Sequence, residues 1–495
     1  MSIFYHSTRS NEQLVTSKQA ILRGIAPDGG LYVRDGLSDL GIDLDQVCSQ
    51  DFRATSRLVL GKLLPDYTED EIASCVEGAY GEQWDCNAVT PVTKLGDDWL
   101  LELYHGPTCA FKDVALQMLP RLMSCARTGD GRDVMIVTAT SGDTGKAALA
   151  GFAGVPGTAI TVFYPHGKVS DTQRLQMVTQ AGANVEVCAV EGNFDDVQTQ
   201  VKPIFADDAL AGRLAAENTV LSSANSINVG RLVPQVVYYF DAYAQLVRAG
   251  AIEKGDEVEF CVPTGNFGDV LAGYYAKLMG LPVRAFVVAS NTNDVLCDFI
   301  ATGTYDRMRP FHKTISPSMD ILVSSNLERL LYLMSDGDCE LVAHLMSDLA
   351  DKGSYTVPDA LLARLRETFA CGRADDAQTK ATIRGTWEEL GVVLDTHTAV
   401  AKHVLDSRER DGVAARVCLS TASPFKFSSD VLAALGTDVS GMGDFDCMDE
   451  LARTCGVAAP AQLSSLRDAE VLHTGVTKVD GMSGVVEAAC GRCLA

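Results

Sequence analysis

The sequence is short of positive charge. Lysine and arginine number 41 against 65 aspartates and glutamates, a formal net charge of -24 over 495 residues. Such a field repels nucleic-acid phosphates and anionic membrane surfaces, so neither is expected as a partner. Long apolar runs are missing too, and with them the ~20-residue stretch that a membrane helix needs. The opening MSIFYHSTRS has no basic segment leading into an apolar one, as an export signal would. The expectation is a cytoplasmic protein. Proline is scarce at 16 residues beside 43 glycines, and no segment is of low complexity, which suits tight turns rather than disorder.

Several sequence signatures are absent. The fifteen cysteines are odd in number, and Cys188, Cys261 and Cys418 lie in apolar stretches, the pattern of buried reduced thiols. The pair Cys490 and Cys493 has no second ligand pair to complete a zinc site, so no metal is expected. Thr140 stands where a phosphate-binding loop of the GxxxxGK[ST] kind needs its first glycine, and the segment 263–269 carries neither that motif's lysine nor GxGxxG spacing. Nucleoside triphosphate and dinucleotide sites are disfavoured.

What is present is an α/β pattern. At this length two to four packed units are expected. From residue 133 onward, short β-branched runs (DVMIVTAT, TAITVFYP, NVEVCAV) alternate with longer amphipathic stretches. A second block repeats the alternation with DEVEFCVP, PVRAFVVAS and ARVCLST. Both predict βαβ units, two lobes and mainly parallel sheets. The first 92 residues are different in pattern, with a turn at Ala26-Pro27-Asp28-Gly29-Gly30, and form a separate N-terminal domain in this division. Residues 93–440 then hold the two lobes, and residues 441–495 are expected to be an irregular tail on the core.

Three segments carry candidate chemistry. Lys112, in HGPTCAFKDVALQ, follows a turn at the predicted start of a helix. The positive end of a helix disfavours an ammonium and favours the neutral amine, the form that condenses with an aldehyde. Taken alone, such a lysine is more commonly a solvated surface residue. PTGNFGD, residues 263–269, joins a strand to a helix, where backbone N–H groups can converge on an anion; as an isolated motif it is equally a tight turn. TSGDTGK, residues 140–146, makes the same junction and suits a carboxylate.

Together these segments resemble the threonine synthase family, within the fold type II (tryptophan synthase beta-like) enzymes that use pyridoxal 5'-phosphate. The likeness spans nearly the whole chain: Ser7-Thr8-Arg9, APDGGLYV (26–33), HGPTxAFKDxALQ (105–117), TSGDTGKAA (140–148), SANSIN (223–228), Arg231, PTGNFGD (263–269) and DxHTAV (395–400). It implies that Lys112 holds the cofactor as a Schiff base, and that Gly265, Asn266, Phe267, Gly268 and Asp269 form or flank a cup for the cofactor phosphate. It also implies that Ser141 and Thr144 receive the substrate carboxylate, that Asp143 lies near the pyridoxal 3'-oxygen, and that Thr421 faces the ring nitrogen. Many family members have histidine where this chain has Ser423. A hydroxyl facing that nitrogen leaves it largely unprotonated, which makes the ring a milder electron sink.

The implied activity is conversion of O-phospho-L-homoserine and water to L-threonine and phosphate. The substrate phosphate then needs cations, for which Lys146 and Arg231 are candidates, with Ser226 and Asn228 as neutral donors. Alternatives are a phospho-lyase releasing 2-oxobutyrate, an amino acid dehydratase of the same fold type, and a non-catalytic ligand-binding protein. The sequence is silent on oligomeric state.

Overall fold

The computed structural model describes residues 4–140, 142–192, 194–410 and 412–494. Two largely parallel sheets dominate them. One has the strand order Gly475–Lys478, Val185–Glu191, Thr158–Pro165, Asp133–Ala139, Thr219–Ser222, with Ile160 opposite both Ile136 and Val185. The other runs Phe369–Arg373, Val283–Ser290, Val258–Pro263, Ala415–Ser420, Asp98–Glu102, Val92–Leu95. Only its last pair is antiparallel, a hairpin turned at Gly96 with φ +63°. The strands Thr158–Pro165, Val258–Pro263 and Ala415–Ser420 are buried at every position. That burial explains why they are mostly apolar and β-branched without alternation, since helices cover both faces, and the buried charges among them are paired, Glu259 with Arg408 and Arg416 with Asp98.

The N-terminal segment builds a small antiparallel sheet from Ser10–Val15, Tyr5–Ser7 and Tyr32–Val33, beside the helices Phe52–Leu63 and Glu69–Ala79. The predicted turn closes by Gly29 N–H donating to the Ala26 carbonyl (2.9 Å), with Gly29 at φ +78°. Polar bonds across long sequence separations tie this segment down. Arg9 Nε donates to Glu328 (2.8 Å), Arg329 Nε to the Tyr32 carbonyl (2.9 Å), and Asn228 Nδ2 to the Ile21 carbonyl (2.9 Å).

Residues beyond 440 are more regular than their sequence suggests. They form the helices Asp444–Cys455 and Met482–Cys493 and the strand Gly475–Lys478, which adds in parallel to Val185–Glu191. Glycines punctuate the first of these helices: Gly443 is its N-cap, and Gly456, at φ +65°, its C-cap. Cys490 is buried on the last helix, and the fifteen cysteines are free. Among the described residues no helix is long and apolar enough to cross a membrane.

Candidate active site

In open parallel sheets, ligands bind beyond the carboxyl ends of the strands. The segments singled out in the sequence gather there. Thr140 to Lys146 follow Asp133–Ala139, Ser223 to Asn228 follow Thr219–Ser222, Thr264 to Gly268 follow Val258–Pro263, and Thr421 follows Ala415–Ser420. Lys112 comes one loop after Asp98–Glu102, and the two lobes therefore face each other across these residues.

Lys112 is the first residue of the helix Lys112–Asp130, as its position after the turn predicts. A short antiparallel ladder sets that start. Ala110 bridges Ala422, Phe111 N–H donates to the Thr421 carbonyl (2.8 Å), and Ser423 N–H to the Cys109 carbonyl (3.0 Å). The Lys112 side chain is 12% exposed, with Nζ 3.2 Å from Ser318 Oγ and 3.7 Å from Asp143 Oδ2. Burial pushes its amine down to about 8, against the pull of Asp143 and with help from Lys426 and Arg231. The direction is the one the helix-end argument gives, but burial is the larger cause.

Asp143 opens the helix Asp143–Phe152 and is gripped by three lysines. Its Oδ1 lies 2.8 Å from Lys426 Nζ and 3.4 Å from Lys146 Nζ, and its Oδ2 faces Lys112. Burial alone would raise this carboxyl, but Lys426, Lys112 and Lys146 together hold it well below the usual carboxylate range. Lys146 is 1% exposed and donates to the Gln176 side-chain oxygen. It sits behind Asp143 rather than open to a substrate phosphate, because the i,i+3 spacing stacks it on the carboxylate. Thr144 is half-buried on the first turn of the same helix, and Ser141 lies outside the described residues.

The loop after Val258–Pro263 makes a close approach. A Cβ on Gly265 would come within 2.8 Å of the Ser318 carbonyl oxygen, and one on Gly268 within 3.3 Å of Asn326 Nδ2. The left-handed residue here is Phe267, at φ +59°, rather than either glycine. Asn266 is exposed, and its carbonyl accepts from Asn326 N–H (3.1 Å). Asp269 turns away from the loop: its Oδ1 accepts from the hydroxyls of Tyr238 (2.6 Å) and Tyr239 (2.8 Å) on the helix Val229–Arg248. Burial raises its carboxyl to about 6, against those two hydrogen bonds. A carboxylate aimed into an anion cup would repel its ligand, and the tyrosines give it another place.

Asn228 is likewise committed elsewhere. It is fully buried, caps the helix Val229–Arg248 through Oδ1 to Gly230 N–H (2.9 Å), and spends its amide on Ile21 and Ser223 carbonyls. Ser226 is half-buried and its carbonyl accepts from Asn326 Nδ2 (3.0 Å). Arg231 is 4% exposed and donates through Nη1 to the Ala224 carbonyl (3.0 Å). Its buried Nε finds no partner among the described residues, and burial lowers the guanidinium to about 10.

Three residues in contact here carried no role in the sequence. Ser318 joins Lys112 to Asp143, with its hydroxyl 3.4 Å from Asp143 Oδ2. His397 accepts from Ser318 N–H at Nε2 (3.1 Å), so its Nδ1 carries the proton toward Asp395 Oδ1 (2.9 Å). Lys426 donates to the Thr108 carbonyl (2.7 Å). His397 and Asp395 lie in a quoted motif, whereas nothing local marks Ser318 or Lys426. Ser423, in the Thr421 segment, caps the short turn Pro424–Phe427 by accepting from Phe425 N–H (3.3 Å).

The family profile described as "Pyridoxal-phosphate dependent enzyme" matches residues 88–422, and that of "Threonine synthase N terminus" matches residues 4–80. Threonine synthase of Pseudomonas aeruginosa is 39% identical over 437 residues, covering 86% of this chain and 89% of that protein. The chain belongs to the threonine synthase family. A crystal structure of pyridoxal-phosphate-bound threonine synthase from Brucella melitensis superposes with TM-score 0.89 at 35% identity, over 99% of this chain and all of that one. Threonine synthase-like 1 of Homo sapiens is 40% identical over 439 residues, and this chain spans only 59% of its length.

The family's cofactor, pyridoxal phosphate, requires an amine for its aldehyde, donors for its phosphate and a partner for its ring nitrogen. The residues of this threonine synthase family member fit. Lys112 supplies an amine that sheds its proton readily. Gly265 keeps clear a space that a Cβ would close against Ser318. Thr421 is buried where its carbonyl already grips Phe111, next to Lys112.

Proposed function

We propose that this chain is a threonine synthase, converting O-phospho-L-homoserine and water to L-threonine and phosphate. The observation that carries the proposal is the pairing of a buried, readily deprotonated Lys112 with a buried Arg231 whose Nε is unpartnered. A substrate with both an α-amino acid head and a phosphate tail uses both features.

When bound, pyridoxal phosphate supplies an electron sink conjugated to the substrate's α-carbon. Lys112 would hold the cofactor's aldehyde and, once free, would take the substrate's α-proton at Nζ, with Ser318 Oγ holding the lysine in line. Loss of a β-proton follows, and phosphate leaves the γ-carbon with its charge met by Arg231 and, as further proposed donors, Ser226 and the 265–268 backbone. The γ-carbon takes up a proton, water adds at the β-carbon, and Lys112 Nζ returns a proton to the α-carbon. In this scheme Thr144 would orient the carboxylate and Thr421 would hold the ring nitrogen.

Incubation of the purified chain and cofactor with O-phosphohomoserine tests the proposal. Threonine and phosphate are expected in equal amounts. Equal amounts of 2-oxobutyrate and phosphate without threonine would assign a phospho-lyase instead.

A further inference from the structure

Asp143 is shared unequally by its three lysines. Lys426 is nearest, 2.8 Å from Oδ1, and its other partner is the Thr108 carbonyl at 2.7 Å. The Thr108 carbonyl takes an N–H of Lys426 and the carboxylate beside it is an anion, so this position favours the ammonium form of Lys426. Lys146 reaches the same carboxylate oxygen at 3.4 Å, and Lys112 meets the other oxygen only at 3.7 Å. The closest polar partner of Lys112 is instead the Ser318 hydroxyl at 3.2 Å, which can give a hydrogen bond to a neutral amine as well as accept one from an ammonium. Three ammonium groups cannot be buried around one carboxylate without large cost, so the pairing decides which of them stay charged.

We propose that Lys426 is a positioning residue for Lys112: its buried ammonium, pinned by the Thr108 carbonyl, occupies the near oxygen of Asp143, and Lys112 is left with a hydroxyl partner in place of a close counter-ion. The amine that must react is thereby made to hold its proton less tightly by a second lysine 314 positions further along the chain. The charged and titratable groups around Lys426 are Asp143 and Lys146 on one helix, Lys112 and Asp113 at the start of another, and the Cys109 thiol between them; Arg231 acts on Lys112 from a third helix. The directions of titration agree with this division. Burial works against the charge of Lys426, yet Asp143 raises its amine above the ordinary range, whereas burial carries Lys146 down to about 7 and Lys112 to about 8.

The proposal rests on the functional reading only in taking Lys112 as the reactive amine. The test uses the full-length chain freed of pyridoxal phosphate, with trace acetic anhydride as the probe of Lys112 and peptide mass spectrometry as the readout across pH. In the unsubstituted chain Lys112 labelling should inflect near pH 8. In K426M, with Asp143 free to turn to Lys112, the inflection should rise by about one pH unit. K426R keeps the charge and should leave it where it was. K426Q is the milder neutral variant if K426M does not fold, with the same upward shift expected. An unmoved inflection in a folded neutral variant, or a raised one in K426R, overturns the proposal. Failure of the unsubstituted enzyme to make threonine would remove the functional reading and leave this titration unaffected.

Discussion

Gly151 lies directly against the Leu116 carbonyl: a Cβ on Gly151 would stand 1.9 Å from that oxygen. The contact joins the helix Asp143–Phe152, which begins with Asp143, to the helix Lys112–Asp130, which begins with Lys112. The separation of the two site residues is therefore set one to two turns deeper in the packing, by the one residue type that allows helices to touch backbone to backbone.

Gly151→Ala should force the helices apart. A destabilisation of roughly 1–3 kcal/mol is expected, as for other overpacked interiors. Gly385→Ala is the control, since a Cβ there meets nothing within 4 Å. It sits inside the helix Asp376–Leu390 and should be neutral or stabilising by up to about 1 kcal/mol. Thermal melts of both variants, together with phosphate release, check the contrast. Equal melting temperatures would mean that the crossing tolerates a methyl group.

Lys112→Ala should lower threonine formation by about three orders of magnitude or more, since both the cofactor's anchor and the proton carrier are lost. The fold should persist, because alanine favours the first turn of a helix. Circular dichroism and a product assay on the same preparation separate the two effects. Near-normal turnover would remove Lys112 from the chemistry.

Gly265→Ala should weaken cofactor binding more than it harms folding, because its Cβ would press on the Ser318 carbonyl at 2.8 Å. At least a tenfold rise in Kd, about 1.4 kcal/mol, is expected. Gly268→Ala should be gentler, as the nearest atom is a side-chain nitrogen at 3.3 Å. Cofactor titration followed by absorbance ranks the two, and the reverse ranking would relocate the cup.

The cofactor-free chain should become more stable as pH rises from 7 toward 8.5. Lys146 and Lys112 hold protons less tightly in the folded chain, at about 7 and about 8, than their ordinary 10.5. Through that window the unfolded chain binds more protons than the folded one, so folding strengthens with pH. Lys146→Met should flatten the rise. Melting temperatures across the interval decide it, and parallel curves for the two chains would mean that Lys146 does not titrate there.

Thr421→Asp should protonate the ring nitrogen and strengthen the electron sink. Less threonine per phosphate released is the expected result. An unchanged ratio in a folded, cofactor-loaded variant would argue that Thr421 does not meet that nitrogen.

The sheets were legible because strands buried on both faces are mostly apolar and β-branched, as Thr158–Pro165 is throughout and Val258–Pro263 and Ala415–Ser420 are apart from the paired Glu259 and Arg416. Lys112 and the 263–269 loop were legible because glycines and a lysine at strand-to-helix junctions are local signals. What escaped was non-local. Ser318 meets Lys112 across 206 positions, and Lys426 meets Thr108 across 318. The partners of Asp269 and Asn228 escaped for the same reason: Tyr238 and Tyr239 donate to the one, and the other donates to the Ile21 carbonyl. The helices beyond residue 440 escaped because glycine marks both loops and helix ends, as Gly443 and Gly456 do here.

The ladder between residues 109–111 and 421–423 acts as a caliper. Phe111 precedes the lysine and Thr421 supplies the opposite jaw, and a main-chain bond of 2.8 Å joins them. The spacing of Lys112 from Thr421 is thus gauged by peptide geometry, which side-chain substitution barely alters. Under the proposed function, mutational drift at either jaw would change the chemistry offered to a bound ring while leaving the width of its berth untouched.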